Sequence, residues 1–214
     1  MAYLLREFKS DTIKKIITKF NKMKKFRLFL VMAILVPFLS SCSYNTMVEK
    51  REAVTGQWAQ VEDSYQRRMD LIGNLVETVK GAAKHENETL TAVINARANA
   101  TKVTIDPTNL TEDNIKAYQM AQNNLTEALS KLMVVHEQYP DLKVNQNFLE
   151  LQAQLEGTEN RISVERKKFN TMAQDYNTTI STFPNNLIAS MFGFEKQAYF
   201  KADEAAKSAP KVQF

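Results

Sequence analysis

Apolar residues recur at Val54, Trp58, Val61, Tyr65, Met69, Ile72, Leu75 (with Val76), Val79 and Ala82. The steps are fours and threes, so these side chains share one stripe of a helix. The pattern starts near Asn45 and continues through Leu90, Val93, Ile94 and Ala98. A straight helix of that extent would approach about 90 Å, longer than the helices available to pair with it. The spacing therefore predicts a kink, at Gly73 or near Gly81, because glycine weakens a helix interior by about 1 kcal/mol relative to alanine.

A loop is predicted over Thr104 to Asp113, which contains Asp106-Pro107 and offers Asn109 or Thr111 as an N-cap. A second stripe follows at Ile115, Tyr118, Ala121 (with Gln122), Leu125, Ala128, Leu132, Val135 and Tyr139, and Pro140 ends it. The third runs through Phe148, Leu151, Leu155, Ile162, Phe169, Met172, Tyr176, Ile180 and Phe183 to Pro184. No segment alternates with strand periodicity. Short connections between long stripes make neighbouring helices antiparallel. The expected fold is all-α, an antiparallel bundle of three to four long helices with the first one kinked.

Residues 185–214 differ in kind. Phe192-Gly193-Phe194, Tyr199-Phe200 and the ending at Phe214 make an aromatic-rich tail with weak periodicity. The expected tail packs along the bundle; the alternative is a docking segment read at its terminal carboxylate. The domain reading is thus a targeting segment over 1–41, a bundle over 42–184 and a tail over 185–214.

The targeting segment is read from Leu39-Ser40-Ser41-Cys42. The chain's one cysteine follows two serines at the end of a 12-residue apolar run, Leu28 to Leu39, preceded by Lys22, Lys24, Lys25 and Arg27. A basic start, a short apolar run and small residues form a secretory signal. A cysteine directly after them is the pattern of bacterial lipoproteins, in which the thiol is acylated and the chain is cut before it. A spanning helix would need roughly 20 apolar residues. Residues 1–22 lengthen this signal, either because translation starts at Met23 or because Ile13 to Phe20 is a basic amphipathic stretch that touches the membrane surface.

Charge changes meaning once the chain is divided there. The whole carries +4, but nine of its 28 basic and two of its 24 acidic residues lie in 1–41. The remainder has 19 basic and 22 acidic residues, a net of −3. A mildly acidic domain without a basic block lacks the footprint of a nucleic-acid binder. With the one cysteine committed to lipid, no disulfide framework remains, and stability falls to packed helices.

Catalytic chemistry is hard to place on these residues. His85-Glu86 and His136-Glu137 lack a second histidine at a metal-binding helical spacing, and no nucleophile elbow, phosphate loop or dinucleotide fingerprint occurs. No enzyme activity, cofactor or metal is expected. Two polar clusters do interrupt the stripes. Arg67, Arg68, Asp70 and Asn74 fall in the first, and Glu159, Asn160 and Arg166 in the third. One reading has Glu159 and Arg166 pairing with Arg68 or Asp70 to fix helix register. The other makes the cluster a polar groove for a peptide or small ligand.

At these residues the sequence resembles the LemA family of bacterial membrane-anchored helical proteins. The matching pieces include Tyr44-Asn45, Arg67 to Ile72, Asn74 to Gly81, His85-Glu86 and Ala96-Arg97. Further along they include Tyr139 to Lys143, Phe148, Leu155 to Ile162, Tyr176-Asn177, Phe183-Pro184, Gly193-Phe194 and Pro210-Lys211-Val212. The resemblance implies a long-helix bundle outside the cytoplasmic membrane, with no established enzymatic activity and no catalytic residue to carry over. This chain departs from the pattern by having a lipoprotein signal in place of an uncleaved N-terminal helix. It also has Gly73 where the family commonly has proline.

The expectation is a lipid-anchored, extracytoplasmic and periplasm-facing protein that serves as an interaction or scaffolding component of the bacterial envelope. Its partners would be the membrane, through Cys42, and other envelope proteins; homo-oligomerisation stays open. The alternative is a periplasmic ligand- or peptide-binding protein that uses the polar groove.

Overall fold

A computed structural model describes residues 42–81 and 87–201. The proposed signal in 1–41, the alternative start at Met23, Ala82, His85-Glu86 and the ending at Phe214 lie outside the described residues, as does the side chain of Val135. The chain divides into two units between Thr46 and Met47. Of the first, residues 42–46 are described; they are helical and Cys42 is exposed.

The second unit is all-α among its described residues. Its helices are α1 (residues 47–81), α2 (Asn87–Lys102), α3 (Glu112–His136), α4 (Pro140–Lys143), α5 (Gln146–Ser181) and α6 (Asn185–Phe192). The long struts are α1 and α5, each a little over 50 Å at 1.5 Å per residue. They run antiparallel, since Lys50 pairs with Asp175, Gln57 with Glu165 and Arg68 with Glu159. Helix α3 runs parallel to α1, with Tyr118 against Trp58 and Thr126 against Arg68. None of the described helices is long and apolar enough to cross a membrane.

The kink expected in the first stripe is a reversal. Helix α1 continues unbroken through Gly73, and α2 runs back along it, because Arg97 Nε donates to the Met69 carbonyl at 2.7 Å. Thr101 also reaches Met69. A Cβ at Gly73 would lie 3.4 Å from the Arg97 guanidinium, an ordinary van der Waals contact, so the crossing does not depend on glycine there. The reversal resets the buried face, so Leu90, Val93 and Ala100 pack inward while Ile94 and Ala98 are exposed. A stripe drawn straight through residue 98 cannot register that.

The other two stripes hold with local changes. Thr111 is the N-cap of α3, its hydroxyl accepting from Asn114 N at 3.3 Å. Gln122 is buried where Ala121 was expected to lead. Tyr139 leaves the helical region at φ −112° and ψ 100°, as a residue before proline should, and Pro140 then opens the short α4. In α5 the core positions Phe148, Leu155, Ile162, Phe169 and Tyr176 recur every seven residues. That repeat keeps one seam facing its partners along a left-handed supercoil. Met172 and Phe183 are exposed instead of buried, because Ala173 holds the seam position and the helix stops at Ser181 before residue 183 can continue it.

Helix α2 lies against the half of α1 that ends at Gly81, so the half near Met47 needs another cover. The loop after α2 supplies Ile105 and Leu110, and the C-terminal segment supplies Phe194 and Phe200, all buried in one cluster with Met47, Trp58 and Tyr176. The described part of the tail, residues 185–201, packs on the bundle, and Gly193 ends α6 in the left-handed region at φ 71°, which costs a residue without Cβ little. Residues 194–201 then run extended along α5.

Candidate functional site at the polar waist

The core comes in two clusters. One includes Tyr65 on α1, Tyr118 on α3 and Ile162 on α5; the other takes over at Met69, Leu125 and Leu155. Within these gaps the buried positions are polar: Arg68 on α1, Gln122 on α3 and Thr158 on α5. The sequence thus places one polar residue at the same height on three helices. The result is a polar waist between two apolar halves.

Arg68 is its charged member. Its guanidinium donates to Thr126 Oγ1 at 2.7 Å and meets Glu159 Oε2 at 3.3 Å from Nη1. Thr126 donates in turn to the Gln122 carbonyl at 3.0 Å, while the Gln122 side-chain amide makes no hydrogen bond among the described residues. Burial pushes the Tyr65 phenol above its ordinary range, opposed by the positive charges of Arg166 and Arg68. Beside this layer, between α3 and α5, opens a cleft of about 390 Å³. Arg68 and Thr126 line its polar side, and Leu129, Met133 and Leu155 its apolar wall.

The sequence-selected residues do not all meet here. Arg68 and Glu159 do. Asp70 is exposed and accepts from Gln66 at 3.0 Å, with Arg97 at 3.9 Å. Arg166 reaches the Tyr65 phenol at the edge of the waist and lines a cleft with Glu159, but it also turns to the C-terminal segment, donating to the Lys201 carbonyl at 3.1 Å and lying 4.7 Å over the Phe200 ring. Arg67, Asn74 and Asn160 lie on exposed faces. Among the described residues no group of three His, Cys, Asp or Glu is placed to hold a metal ion.

Three polar arrangements escaped the sequence reading. Gln57 donates to Glu165 Oε2 at 2.7 Å inside the α1–α5 seam. This bond, followed by one from Lys168, holds the Glu165 carboxyl below its usual range. Asn177 donates to the Gln197 carbonyl and accepts from Gln197 N, and Asn170 does the same for Phe200, at 2.7 to 2.9 Å. Two turns of helix advance about 10.5 Å, and three extended residues about 10 Å. Asparagines seven apart therefore match backbone groups three apart. That spacing was visible in the sequence, but nothing there marked which segment it would hold.

The model of the LemA family matches residues 57–214. Magnetosome protein MamQ 2 of Paramagnetospirillum magneticum is 28% identical over 179 residues, covering 76% of this chain and 66% of that protein. Protein LemA of Metamycoplasma hominis is 23% identical over 180 residues, covering 84% of this chain and 78% of that protein. Magnetosome protein MamQ of Magnetospirillum gryphiswaldense is 26% identical over 185 residues, covering 78% and 68%. The family match takes in α2 to α6 and the asparagine-held segment, together with α1 from Gln57 onward. This chain belongs to the LemA family.

Proposed function

We propose that this protein is a lipid-anchored, extracytoplasmic component of the bacterial envelope that works by binding other envelope proteins and catalyses no reaction. In this reading residues 1–41 are a signal that is removed, and acylated Cys42 holds the bundle to the membrane. The observation that carries it is the position of Cys42. It follows the apolar run and Ser40-Ser41, and its side chain is exposed and outside both core clusters. Acyl chains on that sulfur displace nothing from the interior, and each buried CH₂ contributes about 0.8 kcal/mol to membrane binding. Crosslinking in native membranes, with partners identified by mass spectrometry, tests the interaction role. Recurrent envelope proteins joined to α1, α3 or α5 are expected; a chain that crosslinks to no recurrent protein would contradict it.

A second reading rests on the cleft beside Arg68. An apolar recess with a few converging polar groups suits a small molecule, and a buried guanidinium suits one with an anionic group. Arg68→Met would abolish binding of such a molecule while leaving crosslinks to protein partners in place.

A further inference from the structure

We propose that Phe183 and helix α6 form a second membrane contact, dipping into the interfacial region of the bilayer to which the chain is anchored. Phe183, Leu187 and Met191 are 80%, 60% and 74% exposed. Leu187 and Met191 stand four residues apart and share the outward face of α6 while Ile188 and Ala189 of the same helix pack into the core, and Phe183 is exposed in the turn that precedes it. Scattered exposed apolar residues are ordinary; a contiguous stripe marks a surface that is covered by something.

Two further observations say what covers it. The 19 residues from Tyr176 to Phe194 contain no Asp, Glu, Lys, Arg or His, in a chain that is 24% Asp, Glu, Lys and Arg. Protein interfaces keep a polar, charged rim, whereas charge is excluded from a surface lowered into hydrocarbon. The stripe also lies at the correct end. Lys50 pairs with Asp175, and α5 continues six residues beyond, past the start of α1, before α6 begins. Cys42 is five residues ahead of Met47 in the chain, which can span at most about 18 Å. An anchor on Cys42 therefore holds this end of the unit near the bilayer, and one that ends at Leu39, eight residues ahead of Met47, keeps it within about 29 Å. The inference rests on that anchorage, although either acylated Cys42 or the preceding apolar run would supply it.

The full chain, reconstituted in phosphatidylethanolamine–phosphatidylglycerol vesicles that carry brominated acyl chains, separates the two ideas. Flotation of the vesicles reports the anchor. Fluorescence quenching of a Leu187→Trp variant, and independently of Met191→Trp, reports α6; the wild-type chain, whose Trp58 is fully buried, gives the background. Expected is co-flotation with quenching of both variants and none of the wild type. Co-flotation without added quenching in either variant would overturn the contact and leave the anchor standing. Loss of flotation would remove both. Crosslinks between copies through position 187, in the absence of quenching, would reassign the stripe to a second copy of the chain.

Discussion

Arg68 and Glu159 form an unequal pair: 3.3 Å separates their charged groups, yet the arginine side chain is 4% exposed and the glutamate 57%. The cost of leaving water falls on the cation alone. Glu159 can exchange Arg68 for solvent, whereas Arg68 has Thr126 and Glu159.

That asymmetry sets opposite expectations for the two partners. Arg68→Met removes the buried charge and keeps most of the volume, so stability should stay within about 1 kcal/mol of wild type or rise. Glu159→Gln should cost about 1 kcal/mol or less, because the carboxylate is more than half exposed. Thermal melts of both variants check this. A loss of several kcal/mol in Arg68→Met would mean that the guanidinium network itself holds the two halves together.

Trp58 is fully buried, edge-on to Tyr118 and Phe169 and stacked 5.7 Å from Phe200. Trp58→Ala should cost about 3–5 kcal/mol. It should also loosen the C-terminal segment, since it removes the platform under Phe200. Denaturant titration gives the first quantity and hydrogen exchange of the Phe200 amide the second; a midpoint close to wild type would contradict the packing.

Asn170→Ala and Asn177→Ala each leave a backbone N–H and a backbone C=O of the extended segment without their side-chain partner. A lost partner of that kind costs roughly 1–3 kcal/mol. The amides of Gln197 and Phe200 should lose exchange protection in the double variant while those within α1 keep theirs. Unchanged protection at Gln197 and Phe200 would show that aromatic packing alone holds the segment.

Glu165 gives a pH signature of known sign. Its folded carboxyl lies below the ordinary value, chiefly through the Gln57 hydrogen bond. The stabilisation is therefore present above the unfolded carboxylate value, near about 4.3, and is lost as pH falls through the lower folded value. Glu165→Gln should be less stable than wild type at neutral pH, with the gap closing in acid. A gap that does not change with pH would remove the carboxylate from the account.

The apolar stripes made most of the fold legible. Val54 to Val79 and Phe148 to Ile180 are buried with few exceptions, because a helical period is a local property. What sequence could not show was a change of partner. Ile94 continues the spacing of α1, but after the reversal α2 faces a new neighbour, so the same period selects different residues. The polar waist was half legible for a related reason. Arg68 and Glu159 interrupt stripes and draw notice, while Thr126 is uncharged and reads as an ordinary helix-surface position, and Gln122 enters only beside Ala121 on the second stripe. Phe183 misled in the opposite direction, since an aromatic on the stripe reads as core unless the helix end is placed.

Membrane fractionation of Cys42→Ser, with circular dichroism of the released protein, tests the central claim most directly. Cys42 precedes both core clusters and is exposed, so the helical signal and the melting midpoint should match wild type while the protein leaves the membrane fraction. Full membrane retention of the variant with an uncleaved N-terminus would contradict the account and make Leu28 to Leu39 the anchor.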